Sequence, residues 1–180
     1  MNYSQYDDIA VNYDNLFRYE SSLVENREVG AMLPPLKGSV LDIGCGTGLL
    51  TEVYDISPQD YLGIDPSIGM LTQFRKKHPE FAERLVNEPF TGKNIDCKKF
   101  DNIVAMFGSP SYLSGYAIVA ISKSNARKFL MFYKEGYHPV TYEKCDVEFS
   151  HNVYSKKSLI HLFGENNVSE YHNYIIVNSQ

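Results

Sequence analysis

Alternating glycines and two acids are the residues of this sequence whose types and spacing could do chemistry. Asp42, Gly44, Gly46 and Gly48 stand at every second position. Glycine lacks a Cβ, so such a loop permits positive φ and lets a ligand come close to the backbone. A glycine loop that leads into a helix also points N–H groups and the positive end of the helix dipole at a ligand. The spacing therefore predicts a ligand-binding loop.

A second acid, Asp65, follows the glycine loop by about 20 residues, at the end of an apolar stretch. In nucleotide-binding βαβ units, an acid at this distance accepts hydrogen bonds from a ribose diol. The loop itself departs from the dinucleotide pattern G-x-G-x-x-G, because the sixth residue counted from Gly44 is Leu49. The two features indicate a ribose-containing ligand held by a loop of a different type.

The elements needed to position these residues alternate between strand and helix. Apolar and β-branched runs predict strands, whereas apolar residues spaced by three or four predict helices. The predicted strands cover residues 40–43, 61–65, 83–86, 128–133, 168–171 and 174–177, and a turn at His172-Asn173 joins the last two as an antiparallel hairpin. The predicted helices cover residues 21–33, 49–54, 67–77, 112–123 and 155–163, with Ser155 as cap and Gly164 as stop.

Length and composition indicate one folded domain over residues 1–180. Hydrophobic residues make up 43% of the chain, which is typical of a globular protein. The net charge of −5 disfavours an extensive phosphate-binding surface. No apolar run approaches the ~20 residues of a membrane helix, and the polar N-terminus does not resemble a signal peptide. Three widely spaced cysteines predict neither a disulfide framework nor a metal site, and they favour a cytoplasmic location.

Three segments resemble a known enzyme family. The sequence D-I-G-C-G-T-G at 42–48 resembles motif I of the class I S-adenosylmethionine (SAM) dependent methyltransferases. Asp65 with residues 66–71 resembles the start of their second helix, and F-D-N-I-V-A-M-F-G at 100–108 resembles their fourth strand with its aromatic-glycine end. The resemblance implies an α/β fold, a Rossmann-like, doubly wound, mostly parallel seven-stranded sheet with a C-terminal antiparallel hairpin.

The resemblance also implies SAM as the cofactor and S-adenosyl-L-homocysteine as its product. It divides the domain into an N-terminal helical lid segment (1–38), a cofactor half (39–109) and a substrate half (110–180). Residues just after the third strand touch the adenine in this family, and an amide or carboxylate oxygen can accept from the adenine amino group. The residues predicted to bind the cofactor are Asp42, Gly44, Cys45, Gly46, Gly48, Asp65, Pro66, Met70, Asn87, Glu88, Met106 and Phe107.

Aromatic and histidine side chains are the candidates for contact with the acceptor. Tyr6 and Tyr13 lie in a segment that resembles the lid of small-molecule methyltransferases, although a helix that only packs on the sheet would explain them as well. Tyr112 and His138 are the candidate catalytic residues. The predicted substrate contacts are Tyr6, Tyr13, Tyr112, His138 and His151, and the surrounding region 136–154 adds Tyr137, Tyr142, Glu143 and Tyr154.

The predicted function is methyl transfer from SAM to a small-molecule acceptor, without a metal and without a membrane. Two alternatives stay open. The sequence S-P-S-Y at 109–112 partly resembles the Ser-Pro-Pro-Tyr signature of DNA amino-methyltransferases, with Ser111 in place of the second proline. The short chain also fits a non-catalytic SAM-binding or regulatory protein. The sequence determines neither the acceptor nor the oligomeric state.

Overall fold

The computed structural model describes residues 4–137 and 150–179, in which seven strands form one sheet. The strands are β1 (Val40–Ile43), β2 (Tyr61–Ile64), β3 (Leu85–Val86), β4 (Asn102–Ala105), β5 (Arg127–Tyr133), β6 (Val168–Tyr171) and β7 (Tyr174–Ser179). Their order across the sheet is β3-β2-β1-β4-β5-β7-β6. The first five strands are parallel, while β7 is antiparallel to both β5 and β6. The predicted α/β fold with a C-terminal antiparallel hairpin is confirmed.

Six α-helices accompany the sheet in the described parts of the chain. They are α1 (Ser4–Ile9), α2 (Glu20–Met32), α3 (Leu49–Val53), α4 (Ile68–Lys77), α5 (Gly115–Ser122) and α6 (Lys156–Phe163). Short 3₁₀ helices lie at Ala10–Phe17, Pro58–Asp60, Pro79–Arg84, Cys97–Lys99, Ser109–Tyr112 and Glu165–Asn167. Within these same stretches, no helix combines the length and the apolar character that a membrane span requires.

Two clusters of buried apolar side chains cover the two faces of the sheet. Successive residues of β5 alternate between them, since Phe129 and Met131 belong to one cluster and Leu130 and Phe132 to the other. This is the period of two that a strand buried on both faces must have. Helices α2, α3 and α4 supply the first cluster with Val29, Leu50 and Phe74, and helices α5 and α6 supply the second with Ile118, Ile121 and Leu159. The sheet is therefore covered on both sides.

The carboxyl ends of three strands meet at one edge of the sheet. β1 pairs in parallel with β2 on one side and with β4 on the other. The chain runs from β1 outward to β2 and β3 and then crosses to β4, and a reversal of this kind opens a crevice at the strand ends. The loops that follow Ile43, Ile64 and Ala105 therefore face the same crevice.

Two predicted elements are shorter than expected. The helix predicted at 112–123 begins only at Gly115, because Ser114 is its N-cap and its Oγ accepts a hydrogen bond from N of Ala117 (3.2 Å). The strand predicted at 83–86 is reduced to two residues, because a 3₁₀ helix with Pro79 in its first turn continues to Arg84. In both places a turn preference next to an apolar run sets the boundary.

Candidate active site

A cleft of about 1030 Å³, including its open mouth, lies at the carboxyl ends of β1, β2 and β4. Its walls are formed by Tyr6, Tyr13, Asp42, Ile43, Gly44, Cys45, Gly46, Thr47, Leu49, Leu50, Ile64, Asp65, Pro66, Met70, Pro89, Phe90, Met106, Phe107, Ser109, Tyr112 and Leu113. Most of the predicted cofactor residues are therefore brought together, but Gly48, Asn87 and Glu88 are not among the walls.

The three loop glycines have positive φ angles but different surroundings. A Cβ on Gly44 would lie 2.6 Å from Oγ of Ser109, and one on Gly48 would lie 2.8 Å from the ring of Phe74. A Cβ on Gly46 would find only the carbonyl oxygen of Gly44, at 4.0 Å, because this residue faces the cleft. Gly44 and Gly48 thus permit close packing of protein on protein, whereas Gly46 leaves space for a ligand.

The carboxylate of Asp65 connects β2 to the glycine loop. One oxygen accepts a hydrogen bond from N of Gly46 (2.9 Å) and the other accepts from N of Ser67 (2.8 Å). Burial raises the pKa of Asp65 to about 6, and these two N–H donors act against that rise. A carboxylate has about four lone-pair sites, so Asp65 can still accept from ribose hydroxyls.

The predicted adenine contacts Asn87 and Glu88 make hydrogen bonds within the protein. The side-chain amide of Asn87 donates to the carbonyl oxygens of Asp65 (3.1 Å) and Pro66 (3.0 Å), and so it braces the loop behind the cleft. Glu88 accepts from Nδ2 of Asn94 (3.0 Å). Pro89 and Phe90 line the cleft at this end instead, which the sequence analysis missed. The sequence did contain a signal for Pro89 and Phe90, because these two residues are apolar and directly follow Glu88.

A buried polar pair lies beneath the glycine loop. The carboxylate of Asp42 is 2% exposed and accepts a hydrogen bond from the hydroxyl of Tyr61 (2.7 Å). Burial raises the pKa of Asp42 to about 7, although the bond from Tyr61 acts in the opposite direction. Burial also raises the pKa of the neighbouring Cys45 thiol, so this cysteine stays protonated and acts as a small apolar wall.

Two acidic side chains hold the N-terminal segment against the cleft. Oδ1 of Asp7 accepts hydrogen bonds from Oγ of Ser67 (2.6 Å) and N of Gly69 (2.7 Å), at the start of α4. Oδ1 of Asp14 accepts from Oγ1 of Thr47 in the glycine loop (2.6 Å). The segment is thereby attached at two points to the elements that surround the cleft.

These attachments place two tyrosines at the end of the cleft that is lined by Phe107 and Tyr112. Tyr6 and Tyr13 both line the cleft, and the hydroxyl of Tyr6 donates to that of Tyr112 (3.2 Å). Burial raises the pKa of Tyr6 well above its ordinary value, so its hydroxyl stays neutral. The tyrosines can therefore close off the cleft without adding a charge.

A strained turn after β4 forms the same end of the cleft. Phe107 has a φ of +47° and Gly108 has a φ of +84°, and the carbonyl oxygen of Phe107 accepts from the hydroxyl of Tyr133 (3.0 Å). A Cβ on Gly108 would lie 2.0 Å from the ring of Tyr133, so only glycine fits. A non-glycine residue in this conformation costs about 1–3 kcal/mol and often marks a functional site.

A second cavity of about 1380 Å³, including its mouth, adjoins this end. It shares Tyr6, Tyr13, Thr47, Leu49 and Phe107 with the cleft. Its other walls are Asp14, Phe17, Arg18, Ser22, Leu23, Glu25, Asn26, Glu52, Lys77, Tyr133, Tyr137 and Tyr174. Asp65 and Phe90 line the first cleft but not the second, so the two spaces share the walls named above and not these two residues.

The remaining predicted residues occupy different positions. Tyr112 lines the cleft. His151 packs against the rings of Tyr112 and Tyr133, at centroid distances of 6.1 and 5.1 Å, and is not a wall residue. Tyr154 donates to the carbonyl oxygen of Leu113 (2.6 Å), which is a structural role. His138, Tyr142 and Glu143 lie outside the described residues. Among those described, no group of His, Cys, Asp and Glu side chains could hold a metal ion.

Sequence comparison identifies the domain around the glycine loop. Residues 40–127 match a family described as a methyltransferase domain. The matched segment runs from the first residue of β1 to the first residue of β5 and so includes the loop and Asp65. A search of curated proteins gave no significant match.

Several solved structures share the fold. A SAM-dependent methyltransferase from Thermotoga maritima, described as a possible histamine N-methyltransferase, is 18% identical with a TM-score of 0.62, over 93% of this chain and 81% of that one. Geranyl diphosphate C-methyltransferase from Streptomyces coelicolor A3(2), solved with S-adenosyl-L-homocysteine, is 14% identical with a TM-score of 0.55. The match covers 93% of this chain and 66% of that one. DesVI from Streptomyces venezuelae is 22% identical with a TM-score of 0.52, and the match covers 72% of this chain and 59% of that one.

These similarities establish the fold, and they agree with the sequence match on the kind of domain. The chain spans 59% of the length of DesVI. SAM is the cofactor that a methyltransferase domain implies, and the open space at Gly46 beside Asp65 suits its ribose and amino-acid parts. Residues 40–127 therefore match the methyltransferase-domain family that the glycine loop predicted, and the chain shares the fold of solved SAM-dependent methyltransferases.

Proposed function

We propose that this chain is an enzyme that transfers a methyl group from SAM to a small-molecule acceptor. The observation that carries the proposal is the second cavity, which meets the cofactor cleft at Phe107 and is large enough for a separate small molecule. A protein that only bound SAM would not need a second space next to the cofactor cleft.

The cofactor residues have distinct roles in this proposal. Asp65 accepts from the ribose hydroxyls, and Gly46 allows the cofactor to approach the backbone. Pro89 and Phe90 pack against the adenine, while Met106 and Phe107 lie at the methionine end. When bound, SAM supplies a methyl group on a sulfonium, which is already an activated leaving group.

The chain's own contribution is to orient the acceptor and to exclude water. Tyr6, Tyr13 and Phe107 form the shared wall between the two spaces, and alignment of two reactants at such a junction can supply about 7–11 kcal/mol. Burial raises the pKa of Tyr6 and Tyr133, so these hydroxyls act as neutral donors rather than as bases. The catalytic roles of Tyr112 and His138 stay predictions.

The nucleic-acid alternative depends on the segment 109–112, and the surroundings of Ser111 disfavour it. Ser111 is fully buried, and its Oγ accepts a hydrogen bond from N of Tyr133 (2.9 Å). Oγ of Ser109 donates to the carbonyl oxygen of Gly44 (3.3 Å). Both serines therefore connect parts of the protein, which supports a structural role for this turn.

Measurement of SAM turnover distinguishes small-molecule methylation, nucleic-acid methylation and SAM binding without catalysis. We expect the purified chain to convert SAM to S-adenosyl-L-homocysteine when a cell extract of small metabolites is supplied, and not when DNA or RNA is supplied. Mass spectrometry of the extract would then show a product heavier by one methyl group. Turnover with nucleic acid alone would support the amino-methyltransferase alternative, and SAM binding without any turnover would support the regulatory one.

SAM affinity should depend on pH through Asp65. Its pKa of about 6 in the free protein means that the carboxylate, the better acceptor for hydroxyl groups, is lost as the pH falls through 6. We expect titration calorimetry to show about tenfold weaker SAM binding at pH 5 than at pH 7. The amide side chain of the variant Asp65→Asn cannot titrate, so this variant should show a smaller change in SAM affinity between pH 5 and pH 7. Equal SAM affinity of the wild type at both pH values would contradict the role assigned to Asp65.

A further inference from the structure

The carboxylates in the second cavity are not equivalent. Nζ of Lys77 lies 2.7 Å from Oδ2 of Asp14 and 2.6 Å from Oε1 of Glu52, so one cation pairs with both acids. The other cation of the wall, Arg18, is exposed to solvent. Among the described residues of the wall, Glu25 on α2 is the remaining acid.

Glu25 is half-buried and makes no hydrogen bond or ion pair with any residue of 4–137 or 150–179. Burial raises the pKa of its carboxyl, and the nearby His172 partly offsets that rise. Burial also raises the pKa of Tyr174, and the charge of Glu25 adds to this effect, which places the carboxylate within electrostatic range of that ring. A half-buried carboxylate without a partner is costly unless a ligand supplies the opposite charge.

Aromatic rings line the same cavity. The rings of Tyr133 and Tyr174 stack at a centroid distance of 5.7 Å, and Tyr137 lies 6.1 Å from Tyr174. The ring of Phe107 meets Tyr174 edge-on at 6.0 Å, and so the aromatic wall is continuous with the junction between the two spaces. The face of an aromatic ring attracts a cation, particularly where water is excluded.

We propose that the second cavity binds small molecules that carry an ammonium group, with Glu25 as the counter-charge and the tyrosine rings as the surrounding wall. An anionic acceptor would be repelled by Glu25, and a neutral acceptor would leave this half-buried carboxylate without an ion pair. The inference rests on the proposed function, because it assigns a class of acceptor to the cavity proposed for the acceptor. Glu25 acts here as a specificity residue.

A binding experiment tests the charge preference without requiring catalysis. Choline carries a quaternary ammonium that cannot accept a methyl group at nitrogen, and 3,3-dimethyl-1-butanol is its neutral analogue of the same shape. We expect the full chain, saturated with S-adenosyl-L-homocysteine, to bind choline at least tenfold more tightly than the neutral analogue in calorimetric titrations. Equal affinity for the two probes would overturn the proposal.

Glu25→Gln separates the charge from the shape of the side chain. We expect this variant to bind choline about tenfold more weakly and the neutral analogue as the wild type does. Glu20→Gln is the matched control, since Glu20 lies on the same helix but is exposed and outside the cavity wall. Undiminished choline binding by Glu25→Gln would overturn the assignment of Glu25.

Two further measurements distinguish a failure of the proposed ammonium site from a failure of the proposed methyltransferase function. SAM titration should give the same affinity for the wild type and for both variants, because Glu25 does not line the cofactor cleft. Thermal melts of Glu25→Gln should be no lower than those of the wild type, because the substitution removes a half-buried charge. Loss of the choline preference with intact SAM turnover would reject the ammonium site and leave the proposed function standing. A choline preference without SAM turnover on any small molecule would reject the proposed function and support the ammonium site.

Discussion

Gly46→Val is expected to abolish detectable SAM binding while the protein stays folded. Gly46 has a φ of +53°, and a side chain on it would project into the cleft, where its Cβ meets only a carbonyl oxygen at 4.0 Å. A β-branched residue would therefore occupy the space of the ligand. The left-handed backbone costs such a residue about 1–2 kcal/mol, which corresponds to a melting temperature lower by up to about 8 °C.

Gly136→Val is the matched control for this backbone strain. Gly136 has a φ of +79°, and a Cβ there would have no neighbour within 4 Å in residues 4–137 and 150–179, yet Gly136 lies outside the cofactor cleft. Thermal melts with and without SAM compare the two variants. Both should lose some stability, but only Gly46→Val should lose the rise in melting temperature that SAM produces. A normal SAM-induced rise in Gly46→Val would show that this loop does not bind the cofactor.

Asp65→Ala is expected to weaken SAM binding by about 1–3 kcal/mol, or roughly 5- to 150-fold. The substitution removes the acceptor proposed for the ribose hydroxyls. It also removes the acceptor for N of Gly46 and N of Ser67, so the glycine loop loses its attachment to β2. The effect on affinity should therefore be accompanied by a lower melting temperature of the free protein.

Isothermal titration of SAM provides the measurement, with Asp55→Ala as the control. Asp55 is an exposed acid that lies outside the cleft, so its removal changes the net charge by the same amount without touching the site. The control should bind SAM as the wild type does. Wild-type affinity in Asp65→Ala would mean that this carboxylate is not a cofactor ligand.

The sequence alone was sufficient to predict SAM as the cofactor and the positions of most strands of the sheet. Asp42, the glycine spacing and Asp65 were readable because they lie at the ends of two short buried strands, and such strands are marked by their own apolar residues. The hairpin was readable because the turn at His172 separates the short segment V-S-E-Y from the apolar run at 174–177, and His172 adopts a φ of +46°. These features depend on interactions between neighbours along the chain.

The roles of individual loop residues depended on the tertiary structure. From the sequence, all three glycines were predicted to bind the cofactor, and Asn87 and Glu88 were the predicted adenine contacts. The fold places Phe74 behind Gly48 and turns the amide of Asn87 toward the carbonyl oxygen of Asp65. No local signal reports such contacts, because the partners come from other elements.

The second cavity was decided by tertiary structure entirely. Its walls come from α2, the N-terminal segment, the turn after β4 and strands β5 and β7, which include Glu25, Tyr13, Phe107, Tyr133 and Tyr174. Asp7 and Asp14 hold the N-terminal segment in place through hydrogen bonds to residues 33 or more positions away. A sequence pattern has the period of one helix or strand, and so it can predict which face of an element is buried but not which distant side chains will share a cavity.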